Sequence, residues 1–181
     1  MRGDELAAIV VAAVLCFWML GAHNRLVRLR KAIALAFAQV DAQLRQRHEQ
    51  LAELIAAAAP GLSDVPDVLA AIEAARQQAR VAADRAAQRP ASVGRLASLV
   101  LAEQVLATSA AHLIALARTR PALRVDERLR AASSELSATQ HRLEATREAF
   151  NAAVLGYNAS VRQFPTRIVA GLFGFRAAGT L

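Results

Sequence analysis

The sequence predicts an all-α protein in which an N-terminal transmembrane helix runs on into an antiparallel up-down four-helix bundle or coiled coil. Three observations carry this. Ala, Leu, Arg, Gln and Glu, all strong helix formers, dominate a chain of 181 residues that is 55% hydrophobic but only 4% aromatic. No stretch combines period-two alternation with the β-branched content of a strand. Residues Leu6 to Ala22, LAAIVVAAVLCFWMLGA, carry no charge, and a helical pattern continues past them without a proline as far as Pro60. The length suits one anchor and one folded domain, not two independent cores.

The uncharged segment sits at the lower length limit for crossing hydrocarbon as a helix. Arginine stems beyond His23 extend its usable length by snorkelling. A cleaved signal would want a positive start and a small-x-small site. Here Asp4 and Glu5 oppose Arg2, and Leu20-Gly21-Ala22 is a poor cleavage site. An uncleaved anchor over residues 6–23 is therefore expected, with residues 1–5 outside. Arg25, Arg28, Arg30 and Lys31 follow directly, so the positive-inside rule places the N-terminus out and the helical domain in the cytoplasm. Up to His48, seven basic residues face three acidic ones, a net of +4 within a total of +7. A nucleic-acid surface would interleave aromatics with its basic residues, and this one does not. Cys16, the single cysteine, lies in the apolar stretch, which excludes a disulfide framework and a thiolate metal site.

Beyond the anchor, Leu26, Leu29, Ile33, Phe37, Val40, Leu44, Leu51 and Leu54 step by three and four, with a gap near Arg47 and His48. This is a bundle seam. Pro60 to Pro66 reads as a stop and restart, with Gly61 as C-cap and Ser63 or Asp64 as N-cap. A second helix from about Asp64 to Gln88 has a seam that thins to Ala75, Ala79, Ala82 and Ala86, implying close helix approach. Pro90 and Ser92 mark the next boundary. The third helix, about Ala91 to Arg118, is apolar over a wide arc and is expected to be the most buried, though Arg95, Glu103 and His112 argue against a second span. After Arg120-Pro121, Asp126 is a plausible N-cap for a long last helix. Its seam is Leu129, Ala132, Leu136, Thr139, Leu143, Thr146, Phe150, Ala153, Tyr157, Val161 and Phe164. Pro165 ends it. Short connections pack neighbouring helices antiparallel.

No catalytic constellation is present. His23, His48, His112 and His141 are far apart, and no two are spaced as helical metal ligands. A di-iron bundle would need carboxylates on all four helices. No cofactor, metal or enzymatic activity is expected. Asn151, Tyr157 and Asn158 lie on or beside the last seam, as Gln39, Asp41 and Gln43 do on the first. Antiparallel packing would place both sets in the membrane-proximal half. Asn151 or Asn158 is expected to hydrogen-bond near Gln39 or Asp41 and fix register. The tail, residues 166–181, returns to where the first helix leaves the bilayer. Phe164, Ile168, Val169, Leu172, Phe173 and Phe175, with Arg162, Arg167 and Arg176, suit either an interfacial segment or a cap on the bundle end. Its meeting place with the first helix is expected at Asn24 to Lys31.

Asn24-Arg25-Leu26-Val27-Arg28-Leu29-Arg30 and Ala38-Gln39-Val40-Asp41-Ala42-Gln43-Leu44 resemble the opening signature of the LemA family. Glu135-Leu136-x-x-Thr139, Phe150-Asn151, Tyr157-Asn158, Phe164-Pro165 and Gly174-Phe175 keep the order and spacing of that family's ending. Ala52-Glu53, Arg120, Asp126-Glu127-Arg128 and Ser133 depart from its usual residues. The resemblance implies a LemA-like helical domain over 24–165, anchored in the bacterial inner membrane on the cytoplasmic side, and carries no enzymatic activity over. The expected role is a non-enzymatic scaffold or adaptor with a membrane anchor, a protein partner and a possible homo-oligomer. The alternative is a membrane-tethered sensor holding a small ligand or metal within the bundle.

Overall fold

The computed structural model describes residues 3–181. Helix α1 spans Gly3–Ala58, followed by a 3-10 turn at Ala59–Leu62, α2 over Pro66–Gln88, α3 over Val93–Thr119, a single turn α4 at Pro121–Arg124, α5 over Glu127–Arg162 and α6 over Thr166–Leu172. No strand occurs among the described residues. Met1 and Arg2 lie outside the described residues, and Asp4 and Glu5 already sit in the first turn of α1, where acidic groups complement the helix dipole.

With 56 residues, α1 is about 84 Å long at 1.5 Å per residue. Its surroundings change at one point. From Leu6 to Leu20 its large apolar side chains, the half-buried Met19 apart, face outward, from 38% exposed at Trp18 to 77% at Phe17. Burial begins at Ala22 and thereafter follows one stripe: Leu26, Ile33, Phe37, Val40, Leu44, Leu51, Leu54 and Ala58. A three- and four-residue spacing keeps these on one face, as an amphipathic helix requires. Two helices, α1 and α3, are long and apolar enough to cross a membrane by length and composition.

The stripe serves two clusters. In the first, Leu26 to Leu44 of α1 meet Leu143, Phe150, Val154 and Tyr157 of α5, Ala83 and Ala86 of α2, and Leu96 and Leu99 of α3; Ala170 and Ala178 close it. In the second, Leu51 to Leu62 meet Ile72, Ala75 and Ala79 of α2, Leu106 to Ala117 of α3, Leu123 and Ala132. The first part of the α1 stripe thus shares its core with the second half of α5. The Phe37 and Phe150 rings meet edge-on with centroids 5.6 Å apart, a favoured aromatic geometry. On α2 the buried row is Ile72, Ala75, Ala79, Ala83 and Ala86, small enough to bring α2 against α3 and α1.

Several local expectations change. The N-cap of α2 is Val65, without a side-chain cap. Asp64 instead accepts from Arg120 across the turn. Gly61 lies within the 3-10 turn and is needed for room: a Cβ there would come 2.6 Å from Leu123 Cγ. Asp126 does cap α5, accepting from the Arg128 and Leu129 amides. Helix α3 is not the most buried. It packs mainly on α2, so only the row from Leu96 to Ala117 is covered while Val93, Leu101 and Val105 face outward. On α5 the fully buried row runs through Val154 and Ser160, while the expected Ala153 and Val161 are only partly buried against the same cluster. Replacing the fully buried Phe150 with Ala should cost about 3–5 kcal/mol, read from the denaturation midpoint.

Candidate functional site

The end of the domain next to the apolar segment is built from the returning tail. Helix α6 stops at Leu172, and Gly174 takes a left-handed φ of 69°. Glycine adopts this conformation without the Cβ clash that other residues meet. The Phe175 amide donates to the Ala170 carbonyl at 2.9 Å, closing the helix end in a Schellman-type turn. The chain then runs without helix to Leu181.

A buried non-helical strand of backbone needs partners for its N–H and C=O groups. Two asparagines supply them. The Asn158 carboxamide accepts from the Ala178 amide at 2.8 Å and donates to the Ala178 carbonyl at 2.9 Å. Asn151 repeats this with Leu181, both bonds at 2.8 Å. The spacing makes it possible. Seven helical residues advance about 10.5 Å, and three extended residues span about 10–11 Å. One heptad of α5 therefore matches three residues of tail running the opposite way. The Tyr157 hydroxyl adds a fifth bond, donating to the Arg176 carbonyl at 2.9 Å. Burial pushes this phenol up from its ordinary value, with Arg30 acting weakly against the shift. On the other side, a Cβ on Gly179 would lie 2.9 Å from Val93 Cα, so the tail is pressed against the start of α3.

The tail also reaches α1. The His23 ring lies 4.6 Å from that of Phe173 and 5.5 Å from that of Phe175. This is one residue before the stretch Asn24 to Lys31 where the meeting was expected. Pro165 is half-buried as the cap of α6. Phe164, expected on the α5 seam, is exposed because the buried row ends at Ser160. Asn24, Arg25, Arg28 and Arg30 are exposed.

The expected pairing of Asn151 or Asn158 with Gln39 or Asp41 is overturned. Gln39 faces outward, and Asp41 accepts from Arg45 within its own helix at 2.9 Å. Backbone N–H and C=O groups of the tail satisfy both atoms of each carboxamide. The register function passes from a helix pair to a helix and its own C-terminal strap.

A second polar group, in the middle of the domain, escaped the sequence reading. Arg47 Nη1 donates to Glu103 Oε2, and His48 Nε2 lies 2.9 Å from Glu103 Oε1; all three side chains are buried. Arg76 reaches the His48 carbonyl from α2 at 3.4 Å. Arg147 stands nearby on α5. Burial pushes its guanidinium down, and the Glu103 charge offsets part of that. The clue was divided between two helices: a gap in the α1 seam at Arg47 and His48, and a lone acid interrupting the apolar arc of α3. Among the described residues no three of His, Cys, Asp and Glu gather as a metal-binding set.

Asn158→Ala should leave the Ala178 N–H and C=O without partners, costing about 1–3 kcal/mol. Hydrogen exchange should then accelerate at Ala178 more than at Leu181, which Asn151 still holds. Tyr157 has a folded pKa above its unfolded one, so the folded state keeps the proton longer. Its contribution is complete below pH of about 10 and is lost as pH rises through the folded value. Alkaline titration of stability should show this loss, and Tyr157→Phe should remove it.

No curated protein matches the chain in sequence comparison. A family model described as the LemA family matches residues 36–181, a span that takes in most of the buried stripe of α1, all of α2 to α6 and the clasped tail, and the chain belongs to that family.

Proposed function

We propose that the protein is a non-enzymatic, membrane-anchored helical scaffold or adaptor of the bacterial cell envelope, working through protein or lipid contacts. One observation carries this reading. The apolar part of α1 is exposed on all sides, yet it is rigidly continuous with the buried stripe of the domain. Such a surface in water would be unfavourable by roughly 25 cal/mol for each Å², whereas hydrocarbon is its natural solvent. Arg25, Arg28, Arg30 and Lys31 just past the segment support an N-terminus out and a cytoplasmic domain in the inner membrane. The division of the core into two clusters, each drawing on α1, α2, α3 and α5 or their flanking turns, supports an antiparallel up-down four-helix bundle.

The sensor alternative asks for inward carboxylates free to bind a ligand. The buried acid of the mid-domain group, Glu103, is already held by Arg47 and His48, and the layers around it are Leu and Ala. That favours the scaffold. A homo-oligomer or another protein would be the partner that such a scaffold brings to the membrane.

With Cys16 replaced by Ala and a single cysteine introduced at the exposed Ala177, an impermeant maleimide should label the protein only after cells are permeabilised. Labelling in intact cells would reverse the orientation. Release of the unaltered chain from membranes by alkaline carbonate would remove the anchor itself.

A further inference from the structure

The outer face of α6 is the wrong way round for a helix in water. Thr166, Val169 and Ala170 are buried against the domain, yet the opposite side is also apolar. Ile168 and Leu172, one turn apart, are 51% and 70% exposed, flanked by Phe164 at 69% and Phe173 at 52%. A surface helix normally turns polar residues outward. Elsewhere in the domain α1, α2 and α5 each expose one large apolar residue, Leu35, Val81 and Leu155, and α3 exposes Val93, Leu101 and Val105; single exposed apolar residues are usual for surfaces in water.

The charge around this face is one-sided. Residues 23–31 and 162–176 hold Arg25, Arg28, Arg30, Lys31, Arg162, Arg167 and Arg176 and no acidic residue. These seven account for the whole net charge of +7, so the rest of the chain is neutral. All seven are exposed, and among the described residues none forms an ion pair with a carboxylate. Arg167 lies over the Phe164 ring, 6.0 Å from its centroid.

Position joins the two features. His23, the first residue after the apolar segment, packs on Phe173 and Phe175, so α6 is fixed at the level where α1 leaves the domain. At seven residues α6 is about 10 Å long, far too short to cross a bilayer. From these observations we propose that α6 is an interfacial helix. Phe164, Ile168, Leu172 and Phe173 sink into the headgroup–acyl boundary of an anionic bilayer, while Arg162, Arg167, Arg176 and the α1 cluster hold its phosphates. This rests on the anchor reading and adds to it: the domain has a second attachment, which fixes its tilt on the membrane instead of leaving it to swing on one helix. Two weak signals together give a firm hold where either alone would not.

The test uses the full chain in vesicles of phosphatidylcholine with phosphatidylglycerol, prepared with and without bromine on the acyl chains. Trp18, the single tryptophan, reports the anchor. A bimane label on Leu172→Cys in a Cys16→Ala background reports α6, and the same label on Val125→Cys, in the exposed loop before α5, is the comparison. Bromine should quench Trp18 and the Leu172 label but not the Val125 label. Quenched Trp18 with a Leu172 label no more quenched than the Val125 label overturns the interfacial helix and leaves the anchor standing. Unquenched Trp18 overturns the anchor, and this inference with it. Each of R162Q, R167Q and R176Q should lower the docking equilibrium about fivefold, and omission of phosphatidylglycerol should do likewise. Quenching at Leu172 that ignores both changes would overturn the role given to anionic headgroups.

Discussion

The structure depends on one constraint: α1 is a single unbroken helix whose surface changes character at one point. Up to Leu20 it is apolar all round, and from Ala22 onward only one stripe is covered. A helix makes all its backbone hydrogen bonds internally, so it can pass from one surrounding to the other without leaving a polar group unpaired. The rest of the chain is arranged about the point of change. Helices α5 and α2 cover the stripe, and the tail is brought back to His23 at the boundary.

The tail illustrates how a short irregular segment can be made part of a core. Helices bury their backbone without help, whereas residues 175–181 cannot. The Asn151 and Asn158 carboxamides stand in for a neighbouring strand, each offering one donor and one acceptor in the geometry of a peptide group. Because the pair is spaced by a heptad, a helix can present this substitute strand on one face. Gly174 turns the chain and Gly179 lets it lie against α3, so four residues decide the path of the whole tail.

The buried Arg47–His48–Glu103 group has a different character. It lies between the two apolar clusters, where charges are costly unless matched. Glu103 is matched on both carboxylate oxygens, by partners from α1. An apolar layer tolerates sliding, while this group is satisfied at one register of α3 on α1. Together with the clasp it fixes the alignment at two heights that dry Leu and Ala layers would leave loosely determined.

Much of this was legible in the sequence. Helix content, the boundaries at Pro60, Pro66, Pro121 and Pro165, the Asp126 cap and the α1 stripe all follow from rules that act over four residues or fewer, and the structure keeps them. The apolar segment and its basic flank are equally local. Tertiary structure alone decided which polar groups meet. Asn151 and Asn158 were recognisable as unusual on a seam, but their partners are backbone atoms, which have no signature in side-chain identity. Arg47 and His48 looked like a flaw in one apolar row and Glu103 like a flaw in another, and only the tertiary fold turned them into one satisfied group. Periodicity reports which face of a helix is covered because burial acts on each side chain separately. It is silent on pairing, because a hydrogen bond needs two groups at one place, and sequence separations such as the 56 residues between Arg47 and Glu103 are closed only by the fold.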